Sequence, residues 1–315
     1  MSKQRTTTAS SIYVISYGKS SNQLTFLNEV FNPSVLITYG SILGPLAVCF
    51  LCCLPPYIKA FKRNLAAHAV SPLLVLVTHS FRTLKFNYPT FFVFGIISGM
   101  FCFSPASMVA GRYVINMALI FGLAIVMYVS MYQLAISLIS IHRFFDNRQP
   151  VELRSSLTRK NVIVLMILLF LIEVLNYIGA YIAIFVIILT GKWELYIHVA
   201  IYNCSLYIAH QILLFIGMAF QFSMSSVPTT SHSENVIVTH TKQIGATKFV
   251  LLIIAVLSYI TGFETTVAVI MFFSIDVFLV PLIIELTEIR ASPTATMQSN
   301  NVIVPCEIVK QPVQF

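Results

Sequence analysis

Five long runs of apolar residues, and a sixth of nearly double length, alternate with short polar stretches along this chain. About 18 to 20 apolar residues suffice to cross a bilayer as a helix, so the runs predict membrane spans at 34–58, 88–110, 113–141, 161–189 and 194–222. The long run has no Lys or Arg over the 41 residues from Phe249 to Ile289, too many for one helix. Gly262-Phe263-Glu264-Thr265 divides it into spans at 247–263 and 267–289. The expected fold is all-α: an integral-membrane bundle of seven transmembrane helices over 34–289. A polar tail, 1–33, precedes it and another, 290–315, follows it. SPLLVLVTHSF, 71–81, is apolar but short, and reads as an interfacial segment or as the foot of the second span. Ser223 to Gly245 reads as a polar loop.

Composition agrees with this pattern. The 315 residues are 57% hydrophobic and only 10% charged, against about 25% charged in an ordinary soluble domain. A net charge of +8 could suggest a nucleic-acid surface, but the placement of the cations says otherwise. Of the 19 Lys and Arg, fourteen fall on one side of the predicted bundle and five on the other. The excess marks the cytoplasmic side, so the N-terminus is expected outside and the C-terminus inside. The basic balance then serves topology and anionic lipid, and no nucleic-acid partner is expected. Five of the six Cys lie within apolar runs, and no CxxC comes with a matching His or Cys pair. Neither a disulfide framework nor a zinc site follows. MSKQRTTTASS lacks the apolar core of a signal peptide, so the first span is expected to direct insertion.

Polar residues inside the spans are the candidate chemistry. Ser130, Gln133, Ser137 and Ser140 share one face of the third span, with Arg143 at its edge. That stripe bonds to other helices, or its hydroxyls bond their own backbone. Glu173 and Asn176 sit one turn apart in the fourth span. A carboxylate there costs roughly 2.5–3.5 kcal/mol on insertion scales, so it should face the interior with a partner or a proton. The same argument turns Asp276 inward, with Tyr259 or Ser98 at matching depth as hydrogen-bond donors. Pro281 removes a backbone donor one and a half turns later. Asp276 is then either part of a switching helix or interhelical glue. No paired-acid or His-rich constellation sits near either membrane face, so no enzyme, metal or cofactor is expected.

Seven spans with the N-terminus outside, Arg143 at the foot of the third and Pro150 in the basic loop that follows resemble the rhodopsin-like G-protein-coupled receptors. LPPYIKAFKRN, the long basic first loop, IHRFF and DVFLVPLII are most similar to the nematode serpentine chemoreceptors, over roughly residues 34–290. The pattern departs from the larger class in places. The acid before the Arg is replaced by His142, the Asn-Pro of the seventh helix is missing, and no extracellular Cys pair is available.

The resemblance implies coupling to a heterotrimeric G protein through His142, Arg143, Phe144 and Pro150, although Arg143 also reads as a snorkelling topology anchor. It implies a small-molecule ligand in the outer half of the bundle, near Tyr113, Asn116, Tyr202, Asn203 and Tyr259. The lipid bilayer is the remaining partner, in a multi-pass plasma-membrane protein, sensory cilia included. An opsin would need a Lys in the last span, which is absent. A secondary transporter or a seven-helix ligand-gated channel is the alternative. The charge asymmetry opposes the channel, whose N-terminus lies inside.

Overall fold

A computed structural model describes residues 33–102, 108–150, 157–191, 194–224, 229, 231–260 and 265–291. Among these residues every regular element is helical. The elements are α1 (Pro33–Ala69), α2 (Leu74–Arg82), α3 (Tyr88–Cys102), α4 (Met108–Arg148), α5 (Arg159–Thr190), α6 (Glu194–Ser223), α7 (His232–Ile260) and α8 (Thr265–Arg290). Five of them hold an apolar window long enough to cross a membrane: α1, α4, α5, α6 and α7. Outward-facing Val, Ile, Leu and Phe crowd α5 and the second half of α7, as expected where lipid rather than water is the solvent.

Two compact units divide the described chain. The smaller takes in the first part of α1, to Cys52, with α7 from Thr247 and α8 to Leu282. The larger comprises Cys53–Ala246 and the end of α8 from Ile283. In the larger unit α4 is the central rod, packed against α6, α3 and α5. Its residues from Met131 to Ser137 are all buried. The crossing with α6 is tight because Gly217 faces Ser137. A Cβ at Gly217 would lie 3.1 Å from the Ser137 Cα, the small-on-small contact that lets membrane helices approach.

Several helices end differently from the sequence expectation. α1 continues to Ala69, beyond the span expected to end at residue 58. There Tyr57, Phe61 and Phe81 stack into an aromatic block, with Phe61 and Phe81 centroids 4.0 Å apart. Residues 71–81 are not a separate surface segment. α2, a π-helical turn (Thr83–Asn87) and α3 follow one another without a break. The π turn has a local cause in Pro89, which offers no N–H to the carbonyl four residues back and crowds it. The expected loop from Ser223 to Gly245 is helical from His232 onward. Val236, Ile237, His240, Thr241 and Ile244 are buried at the three- and four-residue spacing of a helix face. Their polar neighbours had hidden that stripe. α5 starts at a Thr158 N-cap, whose hydroxyl accepts from the Asn161 amide, and stops at Gly191 in the left-handed region, φ 65°.

Candidate functional site

At the basic end of the larger unit α4 carries Arg143. Its Nη1 donates to Gln221 Oε1 on α6 at 2.9 Å, and its Nε lies 2.5 Å from Glu234 Oε1 on α7. Glu234 is placed by the start of its helix, where its own amide donates to Ser231 Oγ. This arrangement walls a cavity of about 380 Å3, lined by Leu73, Ile139, His142, Arg143, Asp146 and Glu234 among others. Of the residues expected to couple, His142 and Arg143 line the cavity. Phe144 does not: it is buried and stacked on Phe220 of α6, centroids 3.9 Å apart, with Arg148 over its other face. Pro150 is exposed just beyond α4. Nothing in the sequence singled out Glu234 as the partner of Arg143, because it lay in the presumed loop.

Above the cavity α4 is a ladder of polar bonds. Ser140 Oγ lies 3.1 Å from Thr241 Oγ1 on α7, and the Tyr132 hydroxyl meets His240 Nδ1 on the same helix. Gln211 Nε2 of α6 donates weakly to Gln133 Oε1, at 3.4 Å. Ser137 instead donates to the Gln133 carbonyl of its own helix. The expected stripe therefore divides, with Ser130, Gln133 and Ser140 bonding between helices and Ser137 within one.

Higher still, Ser130 Oγ donates to Glu173 Oε1 of α5 at 2.6 Å, and His210 Nδ1 of α6 lies 3.0 Å from the same hydroxyl. Glu173 is buried, 3.9 Å from His210. Asn176, one turn on, has its Oδ1 buried without a hydrogen-bond partner. The expected ligand residues are not gathered there. Tyr113 and Tyr202 are 71% and 58% exposed, Asn116 is exposed as well, and Asn203 bonds the Val199 carbonyl in its own helix. The Tyr259 side chain lies outside the described residues.

In the smaller unit Asp276 of α8 is buried and pairs with Lys248 Nζ of α7. Of the two expected donors, Ser98 instead donates to its own Phe94 carbonyl, and the Tyr259 side chain lies outside the described residues. Lys248 is one of the fourteen cations that the charge count places on the basic side, yet it is fully buried. The pairing explains the burial, since neither ion could leave water alone. Pro281, five residues on, is buried inside α8.

A second polar cluster escaped the sequence reading, which found no His-rich grouping. His68 at the end of α1, His232 at the start of α7 and Glu288 near the end of α8 bring their ligand atoms within 4.8 Å of one another. The residues are far apart in sequence, so no motif announces them.

No curated protein and no solved structure matches the chain. A family model does match it, over residues 40–290, and that model describes the serpentine type seven-transmembrane G-protein-coupled chemoreceptor Srz. The match covers most of the 315 residues and takes in the Arg143 cavity and the buried acids Glu173, Asp276 and Glu288. This chain therefore belongs to the Srz family of serpentine seven-transmembrane chemoreceptors.

Proposed function

We propose that this membrane chemoreceptor binds a small molecule in the outer half of its bundle and signals to a heterotrimeric G protein at the end marked by Arg143. The observation that carries the reading is the Arg143 clamp on Gln221 and Glu234 in the wall of a cavity. A cation held by neighbouring helices in the wall of a cavity is a contact that a partner can compete for. The described state is then the resting one, and activation separates the start of α7 from α4. The fourteen-to-five cation asymmetry supports placing this end in the cytoplasm and the 1–33 tail outside. That orientation suits a plasma membrane, including that of a sensory cilium.

The ligand would rest on the Ser130–Glu173–His210 cluster, thirteen residues, or about 20 Å, from Arg143 along α4. Asn176 offers an unused acceptor beside it. Tyr113 and Tyr202 would sit at the rim, since both face outward. Gln133, one turn closer to the clamp, and Asp276 with Pro281 on α8 are the polar positions through which the bundle would shift between its two states.

Arg143→Ala and Arg148→Ala, expressed with a panel of Gα subunits, test the reading. Both chains should reach the cell surface. The first should lose evoked signalling and the second keep most of it. Equal signalling from both would leave Arg143 as a topology anchor only.

A further inference from the structure

Three helix ends in the larger unit meet around His68, and their bonding leaves one group unaccounted for. His68 Nδ1 lies 2.8 Å from Ser233 Oγ, and Nε2 lies 3.0 Å from Glu288 Oε1. Asn64 Nδ2 donates to that same Glu288 oxygen at 2.8 Å and to the Ala291 carbonyl at 3.1 Å. His68, Asn64, Ser233 and Glu288 are all buried. The His232 ring is 4.8 Å from the His68 ring. Its Nε2 is buried and has no hydrogen-bond partner.

Two features of this cluster suit a cation. In the tautomer whose Nδ1–H donates to Ser233, His68 Nε2 presents a lone pair toward the Glu288 carboxylate, a contact that a metal ion makes attractive. In the other, Nε2–H donates to Glu288 and a metal ion would take that proton's place. The idle, buried imidazole nitrogen of His232 then supplies a third lone pair. A proton shared between His68 and Glu288 satisfies two of the three groups, whereas a metal ion satisfies all of them.

We propose that His68, His232 and Glu288 form a transition-metal site that takes Zn2+. Two imidazoles and one carboxylate, with the fourth position left to water, are a common zinc donor set, and the nitrogen ligands disfavour Mg2+ and Ca2+. Zinc bonds of about 2.0–2.1 Å in tetrahedral geometry put ligand atoms roughly 3.4 Å apart. The His68–Glu288 pair is already near that spacing at 3.0 Å. The whole set lies within 4.8 Å, so a small shift of the half-buried His232 closes it. The outer partners are also in place: Ser233 fixes the His68 ring and Asn64 fixes the carboxylate. Binding displaces the proton between Nε2 and Oε1 to solvent. The ion ties the end of α1 and the end of α8 to the start of α7, two residues before Glu234. The site itself does not depend on G-protein coupling.

The test uses the full-length chain without a polyhistidine tag, in lipid nanodiscs, titrated with Zn2+ by calorimetry and with Co2+ as a visible-absorbing probe. Wild type should take up one ion at this site, give the absorption of tetrahedral Co2+, and melt at a higher temperature with Zn2+ than without. Mg2+ should do none of this. His232→Ala, which removes no hydrogen bond of the buried network, should weaken Zn2+ binding at least about 100-fold and abolish the thermal shift. Glu288→Gln, which keeps the carboxylate's size, should do the same. Ser233→Ala should cost about 10–100-fold, as outer partners do. His232→Cys should restore binding and add a thiolate-to-cobalt band. Any Zn2+ taken up by the cysteines appears equally in wild type and His232→Ala, and cancels. Unchanged affinity in both His232→Ala and Glu288→Gln, or no saturable uptake by wild type, overturns the proposal.

Discussion

Replacing Glu234 with Gln removes one charge from the Arg143 clamp while preserving the size of the side chain and an oxygen that accepts from Arg143. The pair is neither buried nor open: the two side chains are 14% and 17% exposed. Exposed ion pairs contribute about 0–1 kcal/mol, and hydrogen bonds to charged groups about 1.5–3 kcal/mol. A partly screened pair at hydrogen-bond distance falls between, at about 1–2 kcal/mol. If activation has to open this contact, Glu234→Gln shifts the resting-to-active equilibrium by that amount, roughly 5- to 30-fold. A receptor about 1% active without ligand would become about 5–25% active. The assay is basal nucleotide exchange on a panel of Gα subunits, using purified full-length receptor in nanodiscs and no ligand. Exchange should rise by that factor, and adding Arg143→Ala to the Gln variant should abolish it. Basal exchange within about twofold of wild type, in a preparation where Arg143→Ala still loses evoked signalling, would refute the clamp and leave Arg143 acting on the G protein alone.

Asp276→Asn removes the charge paired with the buried Lys248 ammonium, so it should lower thermal stability and surface expression by the equivalent of about 3–5 kcal/mol. Lys248→Met combined with Asp276→Leu should recover much of that loss, as fluorescence-detected size exclusion would show. Topology is checked by engineered acceptor sites: Asn-Gly-Thr placed in residues 1–32 should be glycosylated, and the same tripeptide between Met224 and His232 should not. The reverse pattern would put Arg143 outside and end the coupling proposal.

The sequence declares helices well here because each apolar run is long and lipid-facing residues need no alternation. Helix ends are harder to read. α7 begins inside a stretch rich in Ser, His, Asn and Thr, and its buried stripe alternates with polar groups that are themselves buried, such as Ser233, His240 and Thr241. A hydropathy scan sees a loop where the fold has a polar interior. Partners were harder still. Glu173 was expected to face inward on the cost of burying a carboxylate, but its link to His210 spans two helices with no fixed spacing. Asp276 demanded a counter-charge, and the sequence held one candidate just before the cation-free run. Counting Lys248 as a topological charge concealed it. The arginine was legible as a position and its glutamate was not, because only the packing of α7 against its neighbours brings residue 234 to residue 143.

The π turn at Thr83–Asn87 bears on how this family can vary. A π turn holds one residue more than the α-helix it interrupts, so it works as a phase shifter between two gears. Before it, Leu76, Val77 and Ser80 are buried and Phe81 stacks on Phe61. After it, Phe91 approaches Gly122 of α4, where an added Cβ would come within 3.3 Å of its ring. Deleting one residue inside the turn would turn α3 by about 100° relative to α2 and swing Phe91 away from that glycine. The one-residue insert thus sets which face of α3 looks toward α4, independently of α2. A lineage could re-aim the wall of α3 by gaining or losing this single residue while leaving the basic end untouched.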